Sequence, residues 1–259
     1  MGEYGIGQPV PREEDPYLVR GAGRFVDDVT LPGQARAFIL RSPHANARIR
    51  SIDVQEAKTA PGVRLVLTGK DPEVLALGTQ RPRNARKRRD GSPAFIAPQS
   101  VLARERVHYI GDPVALVVAD TLANAKDAAE AIVVDYEPLP AVVTLAEAIA
   151  PGAPAVWEKC PDNLVFHHEA GNRQAVEEAF GKADHVVRHR MTISRLTANP
   201  MEPRGCLAEY DPREERYVLR CTVQRRTYRS SRGSYSARQP RGSIGLAVSR
   251  LIVIQWRTT

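Results

Sequence analysis

Residues 106–140, "RVHYIGDPVALVVADTLANAKDAAEAIVVDYEPLP", constrain the fold more than any other stretch. Two apolar runs are split by Gly111-Asp112-Pro113. Glycine tolerates positive φ, aspartate bonds its own backbone and proline presets φ, so these three residues specify a turn. Asp120 or Thr121 is placed to cap the Ala-rich helix that follows, with Ala123, Asp127 and Ala131 along one side. The helix passes into a strand, "AIVVDYE", which Pro138 and Pro140 stop.

The same interleaving extends upstream. "ARAFILRS" (35–42) is a short apolar run and "ARIRSIDV" (47–54) alternates apolar with charged residues; both read as strands. The turn residues of "SPHAN" between them predict a hairpin. Asp53 is an N-cap for a short helix over 54–59, Pro61-Gly62 ends it, and "VRLVLTG" (63–69) is the next strand. Residues 35–137 therefore read as an α+β or α/β unit. "GAGRF" near the N-terminus follows no apolar strand and lacks the third glycine of a dinucleotide fingerprint. Arg81, Arg83, Arg86, Lys87, Arg88 and Arg89 cluster in a Pro-rich stretch. A solvated loop is the expectation there, with anion or partner contact as the alternative.

After a Pro-rich connector, Asn172 caps a helix, "RQAVEEAFGKA", closed by Gly181. Residues 184–194 alternate as a strand, and 205–224 give two strands joined at "DPREE". A second domain is expected to start near residue 160.

The formal charge of +7 suggests a nucleic-acid partner until it is located. Residues 225–259 hold eight arginines and no acidic residue. Taking these eight from 37 basic residues leaves 29 against 30 acidic ones, so the body is neutral. Any argument from charge applies to the tail alone. Cys160, Cys206 and Cys221 have no C-x-x-C spacing, which predicts thiols rather than a disulfide framework or zinc site. The start of the chain has neither a basic nor an apolar signal region, and no run approaches the roughly 20 apolar residues of a membrane helix. A cytoplasmic protein is expected.

No constellation declares a reaction. His185 and His189 are four apart, but in a strand pattern and without a third ligand nearby, so they read as structural. The neighbours His167 and His168 would face opposite ways on a strand. There is no nucleophile elbow, P-loop or distinct acid pair.

"TANPMEPRGCLAEYDP" (197–212) is similar to a segment of the large, molybdopterin-binding subunit of the molybdenum hydroxylases, the family of xanthine dehydrogenase, aldehyde oxidase and aerobic carbon monoxide dehydrogenase. "RGAGRFVDDVTLPGQARAFILRSPHANARIRSID" resembles the family's opening segment, and "VHYIGDPVALVVADTLANAKDAAEAIVVDYEPLPAVV" its α/β hammerhead domain. The resemblance covers about residues 7–224 in order. It implies an α+β chain: an irregular segment over 1–18, a hammerhead domain over 19–140, a linker over 141–160, and the start of a first molybdopterin-binding domain over 161–224. Residues 225–259 form a basic Arg/Ser-rich tail, expected to be a reading of coding DNA in another frame and poorly ordered.

The resemblance also implies oxidation or hydroxylation of a carbon centre with oxygen from water. Electrons would pass through iron–sulfur clusters to FAD on a small and a medium partner subunit. Ser194, Asn199, Met201, Glu202 and Arg204 fall in the cofactor-adjacent motif. Many members carry a Gln near the metal there; this chain offers Ser194 or Leu196. Glu202 and Arg204 also read as a structural pair. The family's catalytic glutamate and glycine-rich cofactor loop match nothing here, so no catalytic or metal residue is assigned and the isolated chain is expected to be inactive. Two other readings stand beside this one. One is a non-catalytic hammerhead scaffold for partner subunits. The other is a nucleic-acid module using the tail, where Tyr228 and Tyr235 offer stacking faces.

Overall fold

Turn chemistry sets where this chain bends, and burial of its apolar strand faces sets what pairs with what. The computed structural model describes residues 11–80, 86–189, 191, 193, 205–211, 213, 216–221, 224–229 and 252–255. The first strands are β1 (Ala35–Arg41), β2 (Ala47–Asp53) and β3 (Val63–Thr68), with helices α1 (Asp15–Leu18), α2 (Gln55–Thr59) and α3 (Pro72–Ala76). β4 (Arg106–Val107), β5 (Pro113–Ala119), helix α4 (Leu122–Glu130) and β6 (Val133–Pro138) follow. Then come α5 (Leu145–Ala148), α6 (Arg173–Gly181), β7 (Gly205–Asp211), β8 (Arg216–Cys221), β9 (Gln224–Arg229) and β10 (Ile252–Gln255).

Seven strands form one sheet in the order β3-β5-β1-β10-β7-β8-β9, and three form a second in the order β4-β2-β6. β5 is buried on both faces except at Leu116. On one face Val117 and Ala119 meet α2 and α4 in a cluster with Val54, Ala57, Val66 and Ile132. The helix contacts are alanines, Ala125, Ala128 and Ala129, whose small side chains let α4 lie close to the sheet. On the other face Val118 packs with Ala35 and Ala37. The second sheet buries Ala47, Ile49 and Val107 with Ala103 and Val114.

Several expectations need correction. The residues 35–54 do not form a hairpin: β1 pairs with β5 and β10, and β2 pairs with β4 and β6. Ser42 turns the corner between sheets. Its N–H donates to the Asp112 carbonyl (2.9 Å), its carbonyl accepts from Gly111 N–H (2.8 Å), and its hydroxyl accepts from His44 N–H (3.0 Å). Turn residues mark a bend without choosing the ladder partner. The buried side of α4 is Ala125, Ala128 and Ala129, while Ala123 and Asp127 are exposed. Of the two candidate caps, Thr121 accepts the Asn124 N–H (3.1 Å). The N-cap of α2 is Val54 rather than Asp53, which stands one residue earlier and accepts the Gln55 N–H (2.9 Å).

The expected strand over 184–194 is absent from its described residues, which are exposed and irregular. A strand needs a ladder partner, and among the described residues none lies beside it; α6 just before it has no buried residue. The hairpin at "DPREE" is present as β7 and β8, in register from Cys206 opposite Cys221 to Asp211 opposite Arg216. Of the tail, only 225–229 and 252–255 are described: β9 extends the sheet beyond β8, and β10 lies between β1 and β7. Ile252, Val253 and Ile254 are β-branched, the residue type that suits a pleated ladder.

Candidate functional site

The residues that sequence singled out as cofactor-adjacent, Ser194, Asn199, Met201, Glu202 and Arg204, lie outside the described residues. The strand that receives their segment is described. β7 begins at Gly205, against the 3₁₀ turn Val26–Asp28. A β-carbon at Gly205 would stand 3.0 Å from the Asp27 carboxylate and 3.5 Å from Val26. The backbone leaving the motif is thus pressed onto the N-terminal segment, where only hydrogen fits easily. His185 and His189 are exposed, and neither is buried as a core histidine. His167 Nε2 lies 3.1 Å from Glu169 Oε1. Among the described residues no group of three or more His, Cys, Asp or Glu is gathered to hold a metal.

The polar structure that does assemble is a strap over residues 154–165, bound across the first domain. Arg88 leaves the basic cluster to grip it. Its guanidinium donates to both Asp162 oxygens (2.8 and 2.9 Å), to the Leu164 carbonyl and to Cys160 Sγ (3.4 Å). Phe95 N–H donates to the Val165 carbonyl (3.0 Å), and Arg89 pairs with Glu169 at 3.6 Å. Arg88 and Arg89 are therefore pinned rather than merely solvated, while Arg86 and Lys87 are exposed; Arg81 and Arg83 lie outside the described residues. Asn163, at φ 53°, accepts the Val156 N–H (2.8 Å) and donates to the Ala148 and Pro154 carbonyls (2.8 and 3.0 Å). Asparagine is among the few residues that adopt this left-handed conformation readily.

The hydrogen bonds from Arg88 hold the Asp162 carboxyl down to about 2. Its contribution to stability is complete above the ordinary carboxylate range and is lost as the pH falls through 2. Burial pushes the Cys160 thiol up, so it is held as a thiol and not as a nucleophile. A cavity of about 370 Å³ beside the strap is lined by Arg88, Ser92, Phe95, Lys159 and Asp162. Its one strongly placed cation, Arg88, is already spent on Asp162.

At the other end of the strap, Trp157 stacks on His108 with ring centroids 3.8 Å apart and planes inclined by 12°. Arg106 donates to Asn46 Oδ1 (2.8 Å) and to the Ala155 carbonyl (3.3 Å). Burial, with the Arg106 charge behind it, lowers His108 to about 4. The Asp112 carboxylate stands 4.0 Å from its ring and already accepts the His108 backbone N–H (3.0 Å), so it does not reverse that effect. Folding therefore favours neutral His108. Stability is complete above the unfolded value near 6.5 and falls as the pH drops from there to about 4, by on the order of 2–3 kcal/mol. Urea midpoints of the wild type and His108→Gln between pH 7 and 4 check this. The wild type should lose the larger share, and parallel curves would refute the assignment.

Sequence reasoning missed Arg88, Asp162, His108 and Trp157 as partners. Only the composition of "EKCPDN", with its turn-forming Pro-Asp-Asn, hinted that the connector was shaped.

A Cu,Mo carbon monoxide dehydrogenase superposes over 98% of this chain with a TM-score of 0.70 and 29% identity, covering 35% of that chain. Quinoline 2-oxidoreductase from Pseudomonas putida 86 does so over 97%, also at 0.70, with 27% identity and 34% of its own length. The architecture is thus a hammerhead domain followed by strands of a molybdopterin-binding domain. The aldehyde oxidase and xanthine dehydrogenase a/b hammerhead domain matches residues 20–140, and the molybdopterin cofactor-binding domain matches 156–246. The chain belongs to this family of molybdenum oxidoreductases.

The second match runs past Gln224, where the resemblance read from sequence ends. Among curated relatives, the nicotine 6-hydroxylase large subunit of Paenarthrobacter nicotinovorans is 39% identical over 85% of this chain and 26% of its own length. The carbon monoxide dehydrogenase large chain of Afipia carboxidovorans is 36% identical over 85% of this chain and 27% of its own. The chain spans about a quarter of the length of these relatives. No helix among the described residues is long and apolar enough to cross a membrane.

Proposed function

We propose that this chain is the N-terminal part of the large subunit of a cytoplasmic molybdenum hydroxylase. The observation that carries the reading is the order of its two matched domains, the hammerhead and then the molybdopterin-binding domain, on a fold shared with carbon monoxide dehydrogenase. The reaction is oxidation of a carbon centre such as an aldehyde, a purine, a heteroaromatic ring or carbon monoxide. The cofactor supplies the redox chemistry, and electrons leave through iron–sulfur clusters to FAD on partner subunits.

In this reading the chain's own part is architectural. The hammerhead domain covers 19–140, the connector 141–160, and the cofactor-binding domain starts at 161. The motif containing Ser194, Asn199, Met201, Glu202 and Arg204 lies beside the cofactor, and Gly205 and β7 hold its exit. None of these residues acts as the base, so the isolated 259-residue chain should reduce no dye with any of these substrates.

The test is molybdenum analysis and a dye-reduction assay on the purified chain, followed by co-expression with the FAD-binding and iron–sulfur subunits of a related enzyme. Co-purification of the subunits with a metal-free, inactive chain is the expected result. Bound molybdopterin with turnover would overturn the architectural role, and a folded chain that captures neither subunit would overturn the assembly.

A further inference from the structure

Two of the three cysteines face each other across the β7–β8 hairpin. The strands pair antiparallel with Cys206 directly opposite Cys221. The kind of rung they share follows from β9. There Cys221 is opposite Gln224, with only two residues between them in the chain. So close a pair can be joined only by its own two N–H···O bonds, because the other ladder pattern would bond neighbouring residues to each other. The Cys221 N–H and C=O therefore point to β9, and its rung with Cys206 is a non-hydrogen-bonded one. In such a rung the Cα atoms stand about 4.5 Å apart, inside the range of roughly 4.4–6.8 Å that a disulfide spans. The same kind of rung recurs four residues along, where Tyr210 is opposite Tyr217 and their rings meet with centroids 4.8 Å apart. This is the more open face of β7: Leu207 is 1% exposed, whereas Cys206, Ala208 and Tyr210 at alternate positions are half-buried. A small solute can approach Cys206. Cys160, by contrast, is buried and held by Arg88 and Asp162.

We propose that Cys206 and Cys221 form a redox-sensitive pair, which a small-molecule disulfide such as glutathione disulfide converts to a cross-strand link. One cysteine, as thiolate, attacks the small disulfide, giving a mixed disulfide and releasing one small thiol. The opposite cysteine, also as thiolate, attacks the protein sulfur of that mixed disulfide and releases the second small thiol. The two cysteines lose two protons and two electrons, and the small disulfide takes up both to become two thiols. The link ties the start of β7, where residues 197–204 enter the sheet, to the end of β8. A reducing thiol pool reverses the exchange, so the pair is a switch and not a permanent staple.

Peptide mapping of the full 259-residue chain, equilibrated with a glutathione buffer and then alkylated, tests this. Trypsin cuts after Arg204, Arg213, Arg220 and Arg225, so the two cysteines fall in separate peptides, 205–213 and 221–225. These two should be recovered linked to each other, with Cys160 alkylated. The ratio of linked pair to mixed disulfide should be at least tenfold higher in the folded chain than in urea, where loop closure alone favours the link. Cys206→Ser and Cys221→Ser should each leave a mixed disulfide on the remaining cysteine.

Equal ratios in the folded and urea-unfolded wild type would overturn the proposal, since the register would then contribute nothing. Mixed disulfides persisting on both cysteines of the folded wild type, or links to Cys160 in equal amount, would overturn it too. These readings come from the wild type and hold even if a variant fails to fold. A covalent dimer joined through Cys206 or Cys221 would place the partner sulfur in a second copy and overturn the intrachain link.

Discussion

Gly69→Ala should cost about 3 kcal/mol or more of stability and leave little folded protein at 37 °C. A β-carbon at this position would overlap the Ala103 carbonyl group, lying 2.7 Å from its carbon and 3.0 Å from the Leu102 oxygen. These are backbone atoms, so no side-chain rotation relieves the overlap. Nor is the facing segment free to retreat: Ala103 N–H donates to the Pro113 carbonyl at 2.7 Å, and Leu102 and Ala103 are buried. Moving it would break the entry to β5, the strand at the centre of the core. Urea denaturation of the purified variant checks this, and an unchanged midpoint would mean the approach is not this close. Gly33 is a useful control, since a β-carbon there meets nothing within 4 Å, although its φ of +72° makes even that substitution mildly strained.

Leu207→Ala should destabilise by about 2–5 kcal/mol, and the loss should be uneven along the chain. Leu207 is 1% exposed on β7, which reaches the first domain's strands through β10. Leu207 belongs to none of the clusters gathered around β5 and β2, so the loss is expected to fall on β7 and its hairpin partner β8. The core under β5 is built from Val117, Ala119 and the alanines of α4 and keeps all its contacts. Hydrogen exchange should show protection lost in 205–221 at denaturant concentrations where 113–119 remains protected. Simultaneous loss of both would mean that the two halves of the sheet unfold as one unit.

The local elements of the first domain were legible because their signals are local. Gly111-Asp112-Pro113 turns, Thr121 and Asn172 cap helices, and the apolar runs at 35, 47, 63, 113 and 133 are strands. Pairing was not legible in the same way. "SPHAN" has the composition of a hairpin turn and instead carries the chain from one sheet to the other, because Ser42 is bonded to the Gly111–Asp112 turn 70 residues away. The buried stripe of α4 was not legible, since alanine occurs on several sides of that helix and gives no contrast. At the candidate site, composition identified Arg88 as one of six clustered cations. Only its approach to Asp162, 74 residues on, separates it from the others.

By itself, the sequence determined most of the strands and helices over residues 35–137, the neutrality of the body, and the family to which its longest motifs point. Those depend on residue type and on neighbours within a few positions, where sterics and capping act. The tertiary structure decided which strands share a sheet, which cation grips the connector, which histidine stays neutral, and where the tail's β-branched run goes. Each of these is a contact across tens or hundreds of residues. Its energy comes from burying a face or completing a ladder, and neither exists until the chain has closed on itself.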